Sequence, residues 1–139
     1  MIILDTNVVS EPMKPNGNLA VAAWLDRQIA ESLYLTATSL SELLAGIEIL
    51  PSGKRKEGFN GALFSLLHRL FGTRILAFDH QAAMRYAPLV GKARSAGSAI
   101  SVADGQIAAI AAVHGFTVAT RDSAPFLSAG ASVINPWSA

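Results

Sequence analysis

The first seven residues, Met1-Ile2-Ile3-Leu4-Asp5-Thr6-Asn7, contain the pattern that decides the fold. The apolar run Ile2–Leu4 has no polar alternation, which predicts a short strand covered on both faces, as at the centre of a parallel sheet. Asp5 follows this run directly. A carboxylate in that position is poorly placed for solvation and needs a cation or several hydrogen-bond donors. The sequence therefore predicts a parallel sheet with an acidic residue at the end of a central strand.

The rest of the chain alternates between strand and helix patterns. Further strands are predicted at Leu33–Ala37, Ile75–Phe78 and Phe116–Thr120, with a fifth candidate at Val133–Ile134. Glu11–Asn18 contains two prolines and a glycine, which predict a loop. Helices are predicted at Leu19–Ile29, Leu43–Leu50 with a start signal at Ser39, Lys54–Phe71, His80–Ala96 and Ile100–His114. This alternation predicts a single α/β domain, residues 1–139, with a mostly parallel sheet of four to five strands and helices on both faces.

Composition excludes several classes of protein. Among 139 residues, 51% are hydrophobic and 15% are charged, and 11 Lys and Arg against 10 Asp and Glu give a net charge of +1. This low charge indicates that some apolar surface is reserved for a partner, and any nucleic-acid binding must use local patches. The absence of cysteine excludes disulfides, thiolate nucleophiles and cysteine-based zinc sites. No signal segment or membrane span is recognisable, so we expect a soluble, cytoplasmic protein with no membrane partner.

Four acidic residues lie at places where the predicted fold could bring them together. Asp5 ends the first strand and Asp122 follows the fourth by two residues, so parallel strands would bring both to the carboxyl edge of the sheet, where α/β proteins bind ligands. Glu42 and Asp104 each come three residues after a serine, in the first turn of a predicted helix. The alternative for these two is a capping box, in which the acid binds the backbone at the helix start. Asp122 alone is also a common turn residue.

Taken together, the four carboxylates favour a metal site. Clustered carboxylates raise one another's pKa unless a cation compensates them, and the hard divalent ions Mg²⁺ and Mn²⁺ prefer oxygen ligands. Such ions promote the hydrolysis of phosphodiesters. The chain has no P-loop, no Gly-x-Gly-x-x-Gly after its first strand and no Gly-x-Ser-x-Gly. These absences disfavour P-loop nucleotide hydrolysis, dinucleotide cofactors and the serine hydrolases.

Five segments together resemble the PIN-domain ribonucleases, and within them the VapC-type, FitB-like toxins of toxin–antitoxin pairs. They are Met1–Asn7, Ser41–Leu43, Ser101–Ala108, Val118–Asp122 and Asn135–Trp137, in the order and spacing of the family. The resemblance implies a three-layer α/β/α fold and an endoribonuclease that uses Mg²⁺ or Mn²⁺ to cleave cellular RNA. The residues that match the family's site are Asp5, Glu42, Asp104 and Asp122 as catalytic and metal-binding acids, Thr120 as the residue that orients them, and Asn7 as an accessory residue.

One departure from the family pattern concerns Asp122. Many relatives carry Asn at this position and an Asp a few residues later, whereas Ser123–Phe126 contains no acid in this chain. Either Asp122 serves as the fourth carboxylate, or the site has three.

The resemblance also implies protein partners. A cognate antitoxin would place an apolar segment in a helical groove around Pro51, and self-association would give a homodimer or a higher assembly with the antitoxin. The candidate groove residues are Leu40, Leu43, Leu44, Ile47 and Leu50 before Pro51, and Leu63, Phe64, Leu66 and Leu67 after it. Core packing is the alternative for most of them.

Two other functions stay open at this point. A haloacid-dehalogenase-like phosphatase also has an Asp at the end of its first strand, but Asn7 stands where that family needs a second Asp. A catalytically silent PIN-like module that binds RNA or a partner protein would use the same fold, although all four acids are present.

Overall fold

Five parallel strands form one sheet. The computed structural model describes residues 1–139, and its strands are β1 (Ile2–Leu4), β2 (Leu33–Thr36), β3 (Ile75–Leu76), β4 (Thr117–Ala119) and β5 (Val133–Ile134). Their order is β3-β2-β1-β4-β5. Ile3 of β1 lies opposite Tyr34 of β2 and Val118 of β4. The prediction of a central first strand in a parallel sheet is therefore confirmed, and the fifth strand is present.

Seven helices cover the two faces of this sheet. They are α1 (Thr6–Ser10), α2 (Leu19–Asp26), α3 (Ala37–Glu48), α4 (Lys54–Leu70), α5 (His80–Ser95), α6 (Val102–His114) and α7 (Ser123–Ser128). Helix α2 ends three residues before the predicted Ile29, and Glu11–Met13 forms a 3₁₀ turn inside the predicted loop. The sequence pattern did not predict α1 and α7, because helices of five and six residues are too short to show a helical apolar period. None of the helices is long and apolar enough to cross a membrane.

The sheet separates two hydrophobic clusters, because neighbouring residues of a strand point to opposite faces. Leu4 belongs to the cluster formed with helices α1–α4, and Ile3 belongs to the cluster formed with α5–α7; both side chains are fully buried. Phe71 fills the first cluster and Phe126 the second. These clusters establish the predicted three-layer α/β/α architecture. Asp5 lies at the carboxyl edge of the sheet, which forms the layer between the two clusters.

The start of α3 differs from the prediction. Thr36, at the end of β2, is the residue that caps this helix: its Oγ1 accepts a hydrogen bond from the Ser39 N–H at 3.0 Å and donates to Ser39 Oγ at 3.1 Å. Helix α3 therefore begins at Ala37, and Glu42 lies in its second turn rather than its first. The capping-box interpretation of Glu42 is wrong, and its carboxylate is not used at the helix start.

Gly105 determines how closely α5 and α6 pack. A Cβ at this position would lie 2.7 Å from Tyr86 Cε2 and 3.5 Å from Val90 Cγ2, both on α5. Gly105 directly follows Asp104 in the first turns of α6. The glycine thus sets the position of the helix start that carries Asp104.

The substitution Gly105→Ala should lower the free energy of unfolding by about 1–2 kcal/mol, because the added methyl group overlaps the Tyr86 ring. The same change at Gly61, in the interior of α4 with no atom near the added Cβ, should raise that free energy by about 0.5–1 kcal/mol through helix propensity. Urea unfolding of both variants measures the difference. Equal free energies of unfolding for the two variants would show that helices α5 and α6 can move apart without destabilising the protein.

Candidate active site

Asp5 is the most constrained acid of the chain. It is only 4% exposed at the end of β1 and also caps α1, where its Oδ1 accepts a hydrogen bond from the Thr6 N–H at 2.8 Å. Its Oδ2 accepts a hydrogen bond from the Thr120 hydroxyl at 2.8 Å. Burial raises the pKa of Asp5 by more than these two hydrogen bonds lower it, and the charge of Asp122 raises it further. The carboxylate is therefore held in one orientation in an environment that penalises its charge.

Thr120 and Asn7 connect Asp5 to Asp122. Thr120 is fully buried after β4, and its Oγ1 accepts a hydrogen bond from the Asp122 N–H at 3.1 Å. Asn7 Nδ2 lies 3.4 Å from Asp5 Oδ2, from Thr120 Oγ1 and from Asp122 Oδ2. The short helix α1 brings Asn7 to this position. The sequence-predicted orienting residue and accessory residue thus both contact the acids.

Glu42 and Asp104 come to the same edge from opposite layers of the fold. Helices α3 and α6 meet through a hydrogen bond of 2.9 Å from Thr38 Oγ1 to Gln106 Oε1. Glu42 is solvent-exposed overall, but partial desolvation of its carboxylate raises its pKa, and the charges of Asp5 and Asp104 raise it further. Burial and the charge of Asp5 raise the pKa of Asp104, hydrogen bonding with the Ser101 side chain lowers it, and Asp122 raises it. Each of the four sequence-predicted acids therefore lies close enough to at least one other member of the set to repel it.

Ser101 caps α6 as predicted, with its Oγ accepting a hydrogen bond from the Asp104 N–H at 3.1 Å. Asp104 thus lies in the first turn of α6, where the helix dipole favours a negative charge. Only the serine half of the capping box is formed, because the Asp104 carboxylate accepts no hydrogen bond from the backbone at the helix start. The Ser101 cap also directs Asp104 toward Asp5 and Asp122, whose charges raise its pKa.

No side-chain cation compensates the four acids. The two ion pairs of the chain join Lys14 to Glu11 and Lys56 to Glu48, and neither includes a member of the cluster. The three histidines, His68, His80 and His114, are exposed, and the His114 ring stacks on Phe116 with 5.3 Å between ring centres. The cluster is therefore a concentration of negative charge that a mobile cation could neutralise.

The oxygen-only donor set suits Mg²⁺ or Mn²⁺. No three carboxylate or imidazole groups are arranged as a ready ligand set for one ion. Mg²⁺ is commonly held by one or two carboxylates and keeps several of its water ligands. The arrangement thus fits an ion bound directly by one or two of the acids and through water by the others.

Sequence reasoning missed Glu11, which is, after Asp5, the second buried acid of the chain and lies outside the cluster. It is 7% exposed, its Oε1 accepts a hydrogen bond from the Asn18 N–H at 2.9 Å, and its Oε2 accepts one from Lys14 Nζ at 3.0 Å. These contacts lower its pKa. Gly17 packs against the Glu11 carbonyl so closely that a Cβ would lie 2.5 Å from that oxygen. Glu11 therefore fixes the conformation of the loop that follows it. In the sequence, the only indication of this role was the presence of Gly17 and Asn18 in that loop.

An apolar groove begins at Glu42 and runs between α3 and the start of α4. Its volume is about 330 Å³, and its lining residues are Ser10, Met13, Lys14, Glu42, Leu43, Gly46, Ile47, Leu50, Arg55 and Phe59. Leu43, Ile47 and Leu50 confirm part of the groove predicted from the sequence. Leu63 and Leu66 are buried in the core, Leu40 and Leu67 pack against it, and Phe64 and Leu44 are exposed elsewhere on their helices.

Comparison with known proteins agrees with this fold. The sequence profile of the PIN domain matches residues 2–130, and the chain therefore belongs to the PIN-domain family. VapC ribonuclease Y4jK of Sinorhizobium fredii is 47% identical over 137 residues, which cover 99% of this chain and 98% of that protein. Toxin FitB of Neisseria gonorrhoeae is 46% identical over 137 residues, with 99% of each chain covered.

A solved structure, FitAB bound to the IR36 DNA fragment, contains a chain with the same fold. Its TM-score with this chain is 0.93 at 44% identity, covering 99% of this chain and 96% of that one. Within the PIN-domain family, the chain thus belongs with the toxins of the VapC and FitB type. The haloacid-dehalogenase-like alternative is wrong.

The substitution Glu42→Gln should raise the melting temperature of the metal-free protein at pH 7. The pKa of Glu42 is higher in the folded chain than in the unfolded chain, so its deprotonation destabilises the folded state as the pH rises through the folded pKa. The gain should be absent below about pH 4, where Glu42 is largely protonated in both states. Thermal unfolding followed by circular dichroism across this pH range measures the gain.

Glu48→Gln on the same helix is the matched control, because Glu48 is exposed and lies 3.8 Å from its only ion-pair partner, Lys56. A gain of equal size in the control, or none in Glu42→Gln, would contradict repulsion within the cluster.

Proposed function

We propose that this PIN-domain protein is an endoribonuclease toxin that cleaves cellular RNA in the cytoplasm with the help of Mg²⁺ or Mn²⁺. The observation that carries the proposal is the convergence of Asp5, Glu42, Asp104 and Asp122 at one edge of the sheet without a compensating cation. The names of the VapC ribonuclease and FitB toxin relatives support the ribonuclease and toxin activities.

The four acids would hold the divalent ion, directly or through water. When bound, such an ion supplies positive charge to the scissile phosphate and makes water more acidic. Asp5 cannot rotate away from the ion, because Thr120 and Thr6 fix its two oxygens. Asn7 donates toward Asp5 and Asp122 and keeps the two carboxylates side by side.

Glu42 and Asp104 are the acids best suited to exchange a proton with the attacking water. Their pKa values are raised, and a general acid or base is most effective when its pKa approaches the working pH. Glu42 is exposed and Asp104 half-buried, so water reaches both. Asp5, which is buried and hydrogen-bonded on both oxygens, instead serves as the fixed anchor of the site.

Purified protein should cleave RNA with Mg²⁺ or Mn²⁺ and stop when EDTA is added. Asp5→Asn and Asp104→Asn should abolish cleavage, because each replaces a charged ligand by a neutral group of the same shape. If Asp122 is the fourth carboxylate, Asp122→Ala should lower the rate about 10–100-fold. Sequencing the 5′ ends of the products measures cleavage and identifies the target together.

Asp26→Asn, an exposed aspartate on α2, is the control and should cleave like the wild type. Full activity in Asp5→Asn or Asp104→Asn would refute the metal site. A loss of only a few-fold in Asp122→Ala would reduce the site to three acids and make Asp122 a turn residue. A folded wild type that binds RNA without cutting it would favour the silent binding module.

The proposed protein partner is a cognate antitoxin that occupies the groove beside Glu42. The FitAB structure supports this partner, because the chain that resembles this protein was solved there as part of a complex named FitAB. Toxin FitB is also one of the relatives found by sequence. Glu42 belongs to both the groove and the acid cluster, so an occupant of the groove reaches the carboxylates. An arginine of the antitoxin would pair with Asp5 or Asp104 and compete with the metal ion.

Self-association is part of the same proposal. Met84 on α5, Val102 on α6 and Leu127 on α7 are exposed, at 67%, 64% and 58%. All three lie on the layer opposite the groove, so a homodimer through this layer would leave the groove free for the antitoxin.

Expression of this protein alone should arrest growth, and co-expression with its antitoxin should restore growth and give a complex with little nuclease activity. Excess Mg²⁺ should partly restore that activity, because Mg²⁺ competes with the antitoxin's arginine for the carboxylates of the site. Phe59→Ala removes an aromatic ring from the groove and should weaken capture of the antitoxin in a pull-down.

Phe64→Ala, on the same helix but outside the groove lining and 55% exposed, should leave the capture unchanged. Equal effects of the two substitutions would place the antitoxin elsewhere, and a harmless protein that arrests nothing would contradict the toxin activity.

A further inference from the structure

Arg121 is a cation beside the acid cluster that pairs with none of its members. It lies between Thr120 and Asp122 in the sequence, and its backbone N–H donates to Asn7 Oδ1 at 3.3 Å. Its guanidinium lies over the ring of Trp137, 5.3 Å from the ring centre. Both ion pairs of the chain belong to lysines. The residue next to Asp122 thus carries a permanent positive charge, yet its donors form no ion pair with any of the four carboxylates.

Trp137 provides a fixed platform for this guanidinium. Its backbone N–H donates to Asn135 Oδ1 at 3.0 Å in a tight turn, and Pro136 between them is buried. The Trp137 ring is half-buried and packs against the cluster of α1–α4. Arginine stacked on an aromatic ring is held by a cation–π interaction while its N–H groups stay directed outward.

Glu11 is the acid near Arg121 that lies outside the cluster, and both of its carboxylate oxygens already accept hydrogen bonds. The positive charge of Arg121 contributes to the lowered pKa of Glu11. The two oxygens of Glu11, however, accept hydrogen bonds from Asn18 and Lys14. The Arg121 donors therefore remain available to a ligand that approaches the site from solvent, and Arg121 itself is exposed.

Resting on the proposed function, we propose that Arg121, stacked on Trp137, binds a backbone phosphate of the RNA next to the scissile one. RNA is a polyanion and must approach four carboxylates in a protein of net charge +1, so a local cation is needed to hold the strand there. A planar guanidinium matches a phosphate bidentately. Arg121 is then a substrate-binding residue, and Trp137 and Asn7 are the residues that position it.

Binding of a short, fluorescently labelled single-stranded RNA to Asp104→Asn protein tests this proposal, because that background leaves the probe uncut. Adding Arg121→Ala should weaken binding roughly tenfold. It should also lower the slope of log affinity against log salt by about 0.7, the amount expected for one phosphate contact on a single strand. Fluorescence anisotropy at several KCl concentrations measures both quantities.

Two further variants separate charge from geometry. Arg121→Lys should keep the salt slope but bind less tightly, since lysine cannot stack or bind bidentately. Trp137→Phe should keep most of the affinity and Trp137→Leu should lose it. In cleavage assays without the Asp104 change, Arg121→Ala should raise KM and leave kcat within a few-fold.

Arg94→Ala is the control, because Arg94 is an exposed arginine in the last turn of α5 and belongs to neither the acid cluster nor the Arg121–Trp137 pair. Unchanged affinity and slope in Arg121→Ala, with intact binding by its parent, would overturn the inference alone. Loss of antitoxin binding with unchanged RNA binding would make Arg121 a protein contact and overturn it too. If the parent binds no RNA and the wild type cuts none, the proposed function itself fails.

Discussion

A buried carboxylate at the end of the central strand is the constraint on which the rest of the structure depends. Asp5 cannot be solvated by water, so the fold must supply donors to it. The Thr6 N–H comes from α1, the Thr120 hydroxyl follows β4, and Asn7 adds an amide. Because the donors come from two distant places in the chain, α1 and the end of β4, one hydrogen-bond network both orients Asp5 and joins the elements of the sheet edge. Despite these hydrogen bonds, burial still destabilises the negative charge of Asp5, and a cation bound beside it would offset that cost.

The parallel topology converts this single position into a site. Every strand ends at the same edge, so α3, which follows β2, and α6, which precedes β4, both have their N-terminal turns there. Glu42 and Asp104 therefore face Asp5 from the two outer layers. Negative charge concentrates at this edge, whereas Lys14 and Arg55 line the groove that begins at Glu42 and Arg121 adjoins Asp122 in the chain.

The sheet, its central strand and the four acids could be predicted from the sequence, because apolar runs and their polar ends are local patterns. The helices α1 and α7 could not, since five or six residues contain too little periodicity. The start of α3 was misplaced because Thr36 and Ser39 are both good capping residues, and only the packing of β2 decides between them. Contacts such as Arg121 with Trp137 depend on chain segments brought together by the fold. The metal-binding roles of the acids stay predictions.

The parallel sheet also fixes when the site comes into existence. Asp5 and Thr120 are 115 residues apart in the chain, and β1 gains its second neighbour only when β4 is available. Contacts of such long sequence separation form late, because the loops that they close carry a large entropic cost. A growing chain on the ribosome therefore lacks Thr120 and Asp122 until α6 and β4 have been translated, and until then Asp5 lacks the hydrogen bond from the Thr120 hydroxyl. A complete site therefore exists in the cell only after the ribosome has translated the segments from β1 through β4.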